Sequence, residues 1–452
     1  MKLCTSRPGF PVVFFALFHW GLSLVGASAQ VTNLPYPIDL PTTLRLAGAQ
    51  NLEVQIARER VKEAEAERTS ANERFFPWIA PGIGYHRRDG LGQAVPSGII
   101  GDAHFQSYSP GLTLTAQVDL GNAIYFSLAA RQLVKASDHA LEAQRQDSIF
   151  SGAKAYFDLV KARELVEVAA AALQTSQEYA RQLHEAVTAG IAFKGDELRV
   201  QTQTKQYEIS LRQAVEQQRL GAVELARILH MDPRVELVAQ SAGLSQLTLF
   251  EPRSSAEALV DQALRFRSEL KQSQALVSAA RQTTKGAVYG PWIPSLSAQV
   301  YGGGLGGGPD HGSDTFGAEG DYLLALSWRI GPGGLFDPGR IRGSKAKLAH
   351  ARLGDEKLRE DIIAEVVAGL ARLQSLSDQI GFAEAKLALA TETLRVTHER
   401  KQFGVGIVLE DLQAQQDLER ARSGYVNVLA EYNKAQYGLN RAVGSPLEKP
   451  PH

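Results

Sequence analysis

Two different spacings of apolar residues divide this chain. From Leu112 to Leu120 every second residue is apolar, and the residues between them are polar. The same alternation occurs at 295–300 and 322–330, and more weakly at 79–85. This period of two predicts β-strands. Elsewhere apolar or small residues recur at alternate spacings of three and four, which predicts long helices packed along a heptad seam.

The chain carries this pattern twice. Trp78 and Trp292 each follow a proline, and Asp196 and Glu410 occupy matching places in the two halves. Both pairs are 214 positions apart. The heptad positions match at the same offset, and the first set is Gly152, Ala155, Leu159, Ala162, Val166, Ala169, Leu173, Ser176, Ala180, Leu183 and Val187. The sequence therefore predicts two tandem repeats.

Each repeat should contain one very long helical hairpin. Proline is absent between Pro110 and Pro233 and between Pro338 and Pro446. A continuous helix over 122–188 would be about 100 Å long at ~1.5 Å per residue. Each stretch is interrupted once by glycines, at 190 and 195 and at 404 and 406. The glycines predict the turns of two hairpins, over 122–230 and 338–443.

The alternating segments have the length of membrane-spanning strands. We expect four of them, at about 77–88, 109–120, 292–302 and 321–331, joined by long loops over 89–108 and 302–320. Candidate residues for an aromatic belt at the membrane surface are Tyr85, Tyr301, Tyr322 and Trp328. A small soluble sandwich at the end of a coiled coil would give the same alternation.

Four strands leave two open edges, and unpaired backbone groups cost several kcal/mol each in hydrocarbon. One chain could therefore not close a barrel in a membrane. Two copies would give eight strands and a barrel filled by its own side chains, whereas three would give twelve and leave a lumen. The count predicts a homotrimer in lipid.

The N-terminus has the pattern of a secretory signal. Lys2 and Arg7 precede an apolar run over 10–26, and Ala27-Ser28-Ala29 precede Gln30. Cleavage after Ala29 is expected, although an uncleaved anchor can look similar. The only cysteine, Cys4, lies in this segment, so the mature chain would form no disulfide. No later apolar run reaches the ~18 residues of a spanning helix.

Charge and motifs argue against several function classes. Lys plus Arg number 48 and Asp plus Glu 49, a net charge of -1, so no nucleic-acid partner is indicated. The glycines over 302–308 run into Pro309-Asp310 instead of opening a helix, unlike a phosphate-binding loop. The histidines show no metal-binding spacing, and no nucleophile motif occurs. We expect no cofactor, no metal and no enzymatic activity.

Taken together, the duplicated strand-pair and hairpin unit resembles the TolC family of outer-membrane efflux proteins. The most specific segment is the turn over 403–415, FGVGIVLEDLQAQ, with the strand entries at Pro77-Trp78 and Pro291-Trp292. The resemblance implies a mainly α fold whose trimer forms a 12-stranded membrane β-barrel and a 12-helix barrel in the periplasm. It implies partners as well: a periplasmic adaptor and an inner-membrane pump of the RND or ABC type.

The resemblance also implies a division of the chain. A signal peptide would occupy 1–29, the first repeat 30–230, a linker in the belt around the helical barrel 231–255, the second repeat 256–445 and a tail 446–452. The hairpin ends would meet the adaptor through Gly190, Ile191 and Ala192, and through Gly404, Val405, Gly406 and Ile407. These residues could equally pack against neighbouring hairpin ends.

Acidic residues after the second hairpin turn ring the periplasmic mouth in the family. Glu410 matches one such position, Gln413 replaces the other, and Asp196 is the equivalent in the first repeat. Asp196 and Glu410 are therefore candidate gate residues, and both would also favour a helix N-terminus. The function expected is a passive outer-membrane duct for efflux. The alternatives are a periplasmic coiled-coil scaffold or adaptor, and a duct for type I protein secretion.

Overall fold

The computed structural model describes residues 35–93, 98–240, 243–309, 315–402 and 407–446. The expected signal peptide and residues 447–452 of the expected tail lie outside this part of the chain.

Both halves contain the same elements in the same order, as the 214-residue offset predicts. The first half comprises β1 (Tyr36–Ile38), α1 (Leu40–Gln50), α2 (Leu52–Glu73), β2 (Trp78–Gln93), β3 (Ile100–Asp119), α3 (Leu120–Thr188) and α4 (Lys194–Ile228). The second comprises β4 (Leu237–Ala239), α5 (Ala256–Phe266), α6 (Ser268–Tyr289), β5 (Ser295–Pro309), β6 (Thr315–Ser327), α7 (Pro338–Gln402) and α8 (Val408–Val443). The two-repeat organisation and the predicted helical hairpins are confirmed.

The long helices pack along their predicted seams. α3 has 69 residues and α7 has 65, and neither contains an internal proline. On α3 the small seam residues Gly152 and Ala155 are buried, as is Leu159. α3 contacts both α4 and α8, and α8 contacts α7, so the four helices lie side by side in the order α4, α3, α8, α7. Within the described residues, no helix is long and apolar enough to cross a membrane.

Four of the strands form one antiparallel sheet in the order β2-β3-β5-β6. One face carries Leu114, Val300 and Tyr322, which lie opposite one another across the strands. The other face carries Thr113, Tyr301 and Asp321 in the neighbouring register. The sheet therefore has an apolar face and a more polar face, as the alternation predicts.

The strands extend into segments for which we predicted loops, and this part of the prediction was wrong. β2 and β3 pair from Trp78–Thr115 to Gln93–Ile100, and β5 continues to Pro309 through the glycine run. The reason is visible on the apolar face, where the rings of Tyr108 and Phe316 stack with centroids 6.0 Å apart. A side chain at Gly306 would overlap both rings. Aromatic neighbours thus cover glycines that alone would weaken a strand.

The linker between the repeats is bonded to β1 of the first repeat and to α8 of the second. β4 pairs in parallel with β1, and the following backbone bonds to two buried polar side chains of α8. Asn433 Oδ1 accepts from Leu247 N at 3.0 Å, and Gln436 Oε1 accepts from Phe250 N at 2.8 Å. These bonds satisfy backbone groups that would otherwise be buried without partners.

A second set of polar contacts ties four helices together near the ends of α6 and α8. The buried side chain of Arg267 donates from Nη2 to Glu269 Oε1 at 2.8 Å and from Nη1 to the Ala442 carbonyl at 3.2 Å. Arg441 reaches the same glutamate at 2.9 Å and Asp147 on α3 at 2.6 Å. Glu365 on α7 contacts both arginines, so the ion pairs join α3, α6, α7 and α8.

Candidate gate and contact surface at the hairpin ends

The ends of the two helical hairpins lie together. Tyr179 and Leu183 of α3, Val200 of α4 and Leu412 of α8 form one buried apolar cluster. Ala192 and Val408, at the two turns, pack against it. The two turns, separated by 214 residues in sequence, are therefore joined by a common core.

The first turn is built as a helix C-terminal cap. Gly190 has φ +78°, and its N–H donates to the Val187 carbonyl at 3.0 Å. The Ile191 N–H donates to the Ala186 carbonyl at 2.9 Å. Glycine is favoured here because this left-handed conformation strains residues that carry a Cβ. The cap directs the chain across to α4.

Both predicted gate carboxylates lie in the first turn of a helix and face an arginine. Asp196 Oδ1 is 3.5 Å from Arg199 Nη1, and Glu410 Oε2 is 3.8 Å from Arg400 Nη1. Both are half-buried, whereas Gln413 is exposed on the next turn. The N-cap positions themselves are Phe193 and Ile407, which make no side-chain cap bond. Any favourable effect of the carboxylates on the helix ends is thus electrostatic.

The predicted contact residues are only partly within the described chain. Ile191 and Ile407 are exposed, at 81% and 58%. Gly404, Val405 and Gly406 lie outside the described residues. Phe193, which sequence reasoning missed, is 83% exposed beside Ile191. Large apolar side chains exposed at the same turn are typical of a contact surface.

Sequence reasoning also missed a carboxylate that packing buries. Glu197, next to Asp196, has a side chain that is 1% exposed. Its oxygens accept from Lys194 Nζ at 2.6 Å and Gln201 Nε2 at 3.0 Å, and His184 Nδ1 lies 2.8 Å away. Lys194, followed by His184, holds the pKa of Glu197 below its ordinary value. The His184 contact crosses from α3 to α4 and ties the end of the hairpin together.

The second hairpin has an equivalent buried carboxylate. The Asp411 side chain is 1% exposed; it accepts from Gln415 Nε2 at 3.2 Å, and its Oδ1 lies 3.9 Å from His398 Nδ1. Burial, followed by the charges of Asp411 and Asp196, raises the pKa of the Tyr179 hydroxyl. Tyr179 of the first hairpin therefore lies within electrostatic range of Asp411 in the second.

A sequence signal for these residues existed. His184, Glu197 and Gln201 correspond to His398, Asp411 and Gln415 at the 214-residue offset. Applying the offset to every polar residue near the turns would have found all three pairs. What it could not have shown is that Glu197 and Asp411 are the buried members.

The predicted belt aromatics do not share one face of the sheet. Tyr85 lies opposite Tyr108, and Tyr322 lies opposite Val300, both on the apolar face. Tyr301 lies on the polar face, where its hydroxyl donates to the Pro110 or Gly304 carbonyl, at 3.2 and 3.0 Å. Trp328 follows the end of β6, and its Nε1 donates to the Trp292 carbonyl at 3.3 Å. Only Tyr85 and Tyr322 are therefore placed on the apolar face of the strands.

In the part of the chain that the structure covers, no group of three or more His, Cys, Asp or Glu side chains is arranged to hold a metal ion.

Comparison with known proteins agrees with this architecture. The sequence profile described as "Outer membrane efflux protein" matches residues 43–229 and again 259–445, once for each repeat. A curated relative, the pyoverdine export outer membrane protein OpmQ of Pseudomonas aeruginosa, is 24% identical over 415 residues, which cover 88% of this chain and 83% of OpmQ.

Two solved structures are similar across nearly their whole length. A membrane protein from Pseudomonas aeruginosa has a TM-score of 0.76 at 19% identity, covering 90% of this chain and 93% of that one. The outer membrane channel CmeC of Campylobacter jejuni has a TM-score of 0.75 at 18% identity, covering 90% and 85%. At these low sequence identities, the comparison shows that the fold is similar.

Proposed function

Because this chain belongs to the outer membrane efflux protein family, we propose that three copies of it build one outer-membrane channel and that their hairpin ends form its periplasmic mouth. The chain is a subunit of an outer-membrane efflux channel, with its helical hairpins in the periplasm. This role excludes the periplasmic scaffold or adaptor that the coiled-coil pattern also allowed.

The trimer proposal rests on one observation, which is that the sheet of a single chain has two unpaired edges. Among the described residues, β2 and β6 each pair with a strand on one side only. Unpaired strand edges are costly in hydrocarbon, so both edges need partners. β2 of one copy can pair with β6 of the next, and three copies would supply twelve strands.

The helices have open flanks on the same sides. Exposed apolar residues on α4 include Leu198, Ile209 and Leu220. At 100° per residue they project away from α3, which contacts the opposite side of α4. On α7, Leu353, Phe382 and Leu389 are exposed and project away from α8 by the same geometry. We assign these two apolar stripes to one contact, α4 of one subunit against α7 of the next.

This contact is heterologous, since two different surfaces meet, and repeating it gives a ring if the rotation closes. The sheet edge and helix flank of the first repeat lie on one side of the chain, and those of the second repeat on the other. A single rotation therefore joins strands and helices at once, which favours a closed ring over a filament.

The test is the assembly state of purified full-length protein. Phe382→Glu places a charge in the α7 stripe and should convert a detergent-solubilised trimer into monomers. Ala388→Glu is the matched control, because exposed Ala388 projects about 100° away from Leu389 and lies outside the stripe. A native mass spectrum showing monomers for wild type, or trimers for both variants, would contradict the proposal.

We further propose that Asp196 and Glu410 from three subunits make the mouth cation-attracting. Both carboxylates lie in the first helical turn after a hairpin turn, and each is only half-buried. Charged rings of this kind set ion preference in pores. In planar bilayers, Asp196→Asn with Glu410→Gln should lower the preference for cations, and Gln413→Asp should raise it. Unchanged reversal potentials in all variants would remove the gate assignment.

The exposed residues Ile191, Phe193 and Ile407 are proposed to contact a periplasmic adaptor, which would connect the channel to an inner-membrane pump of the RND or ABC class. Aromatic side chains in exposed turns are frequent anchors of protein contacts. Phe193→Ser should abolish co-purification of the adaptor while the trimer persists. Retained co-purification would place the adaptor contact elsewhere.

The cargo proposed is a small exported solute. The match with OpmQ covers 83% of that protein, which is named for pyoverdine export. Deleting the gene and comparing drug tolerance, secreted small molecules and secreted proteins would distinguish this from type I protein secretion. A defect confined to secreted proteins would favour the latter.

A further inference from the structure

The boundary between the two repeats of one chain shows how two repeats meet. Here α3 and β3 of the first repeat contact α6 and β5 of the second. At the 214-residue offset, α7 and β6 correspond to α3 and β3, and α2 and β2 correspond to α6 and β5. Since repeats of one architecture stack through equivalent surfaces, α7 and β6 of one subunit should meet α2 and β2 of the next.

The two repeats of one chain approach most closely where the strands become helices. Gly121 lies in the first turn of α3, and Gly290 opens the short turn between α6 and β5. A Cβ on Gly121 would overlap the Gly290 carbonyl, and a Cβ on Gly290 would lie 3.3 Å from Asn122 Oδ1. This boundary therefore has no room for a large side chain at either glycine.

The two outer flanks of the chain carry phenylalanines at the corresponding places. At the 214-residue offset, Phe76 corresponds to Gly290 and Phe336 to Asn122. Phe76 is 70% exposed and Phe336 is 76% exposed. The Phe76 N–H donates to the Glu73 carbonyl at 2.9 Å, so Phe76 lies in the turn between α2 and β2. Large apolar side chains exposed on both flanks at one level are typical of a contact surface.

The start of α7 differs from the start of α3 in a way that leaves space for Phe76. Asp119 Oδ1 accepts from Asn122 N at 3.1 Å before α3, and Asp337 Oδ1 accepts from Arg340 N at 2.9 Å before α7. These two capping aspartates are 218 positions apart, four more than the repeat offset. Four residues are about one helical turn. The turn of α3 that fills the space beside Gly290 is thus replaced by a loop at the start of α7.

This loop holds the ring of Phe336 outward. The Leu335 N–H donates to the Arg329 carbonyl at 2.8 Å, and the Gly333 N–H donates to Asp337 Oδ2 at 2.9 Å. Phe336 has φ +62°, a left-handed conformation that is uncommon for a bulky residue. Such a conformation persists where the surrounding structure imposes it, and it is a reason to look for a function.

We propose that Phe336 of one subunit packs against Phe76 of the next subunit, at the level where the strands become helices. The proposal rests on the trimer proposed above and names a contact that holds it together. The six repeat boundaries of the ring then alternate between two kinds. Three, within chains, are close contacts of Gly121 with Gly290, and three, between chains, are contacts of two aromatic rings, which are favourable in tilted or offset arrangements.

Pairs of cysteines test the contact in the full-length protein in detergent. Phe76→Cys with Phe336→Cys should give covalent dimers and trimers on non-reducing gels after mild oxidation, because a disulfide needs Cα atoms within about 7 Å. Cys4 is the only native cysteine, and the two single variants measure any contribution from it. Phe193→Cys with Phe336→Cys is the matched control, since Phe193 is as exposed but lies at the hairpin end, and it should give no covalent dimer.

A photoreactive benzoylphenylalanine in place of Phe336 alone tests the same contact with an aromatic ring retained. Irradiation should give a covalent dimer, and mass spectrometry should map the link to residues 75–78 of the second subunit. This variant decides the matter if the double cysteine variant does not assemble. A link to lipid alone, or to another part of the second subunit, would overturn the proposal.

Native mass spectra of the same samples separate this contact from the proposed assembly. Trimers that give no covalent dimer with either probe would overturn the aromatic contact and leave the trimer standing. A protein that is monomeric without any substitution would reject the trimer and the contact together.

Discussion

Ser176 Oγ and Thr204 Oγ1 lie 2.8 Å apart in the buried seam between α3 and α4, where the second repeat has Ala390 and Leu418 at the equivalent positions. The same helix contact is thus made by a hydrogen bond in one repeat and by apolar packing in the other. Burying a polar pair is close to neutral when it is fully bonded, whereas leaving one member alone is costly.

Replacing one member of this pair should therefore destabilise the protein more than replacing both. We expect Thr204→Val to cost ~1 kcal/mol, because Ser176 Oγ loses its buried partner, and Ser176→Ala with Thr204→Val to cost less than the sum of the single changes. Denaturant unfolding of the trimer in detergent measures this. Thr202→Val, an exposed change on the same helix, is the control and should stay within ~0.5 kcal/mol. A double variant that loses as much stability as the two single variants together would contradict the interpretation that the two hydroxyl groups depend on each other.

Two glycines on the same face of β5 should respond differently to valine. At Gly306 the new side chain would overlap the Tyr108 ring, whereas Gly302 has open space around it. Gly306→Val should destabilise the sheet by ~1–3 kcal/mol through overpacking, and Gly302→Val should be tolerated because valine suits a strand. The heat-dissociation midpoint of the trimer on a gel distinguishes them. Equal midpoints would show that the rings do not constrain the glycine run.

Removing Arg267 should weaken the junction of the repeats. Arg267→Met leaves Glu269 with one fewer cation, and we expect a loss of about 2 kcal/mol, less than for a fully buried pair because Glu365 is 42% exposed. The control is Lys62→Ala, which breaks an exposed ion pair with Glu59 worth less than ~1 kcal/mol. Thermal unfolding followed by circular dichroism compares the two. A similar loss of thermal stability in both variants would show that the ion pairs of Arg267 stabilise the protein no more than an exposed ion pair does.

Acid should destabilise the same junction. Burial acts to raise the pKa of Glu269, but the guanidinium of Arg267, with Arg441, outweighs it and holds the pKa below the ordinary value. The carboxylate therefore contributes stability above about pH 4.5, and this contribution is lost as the pH falls through the lowered pKa. The thermal midpoint should drop between pH 5 and 3, less steeply in Arg267→Met. A parallel decline in both proteins would assign the acid sensitivity to other groups.

The repeats, the order of strands and helices, the helical hairpin turns and the family could all be predicted from the sequence. These follow from local properties. A period of two, or of three and four, is visible in neighbouring residues, and the glycines at the helical hairpin turns interrupt it locally. The alternation also contained the signal that corrects Tyr301, which we assigned to the belt: it differs in parity from Val300 and so lies on the polar face.

Which carboxylates are buried depends on how the helices pack. Asp196 and Glu197 are neighbours in sequence, yet Asp196 is half-buried beside Arg199 while Glu197 is enclosed by Lys194 and His184. Adjacent residues on a helix point about 100° apart, so burial depends on where the partner helix lies. The length of the glycine-rich strand was decided in the same way, by the rings of Tyr108 and Phe316 on neighbouring strands. Both features depend on contacts between residues that are distant in the chain. The local periodicity of the sequence does not indicate these contacts.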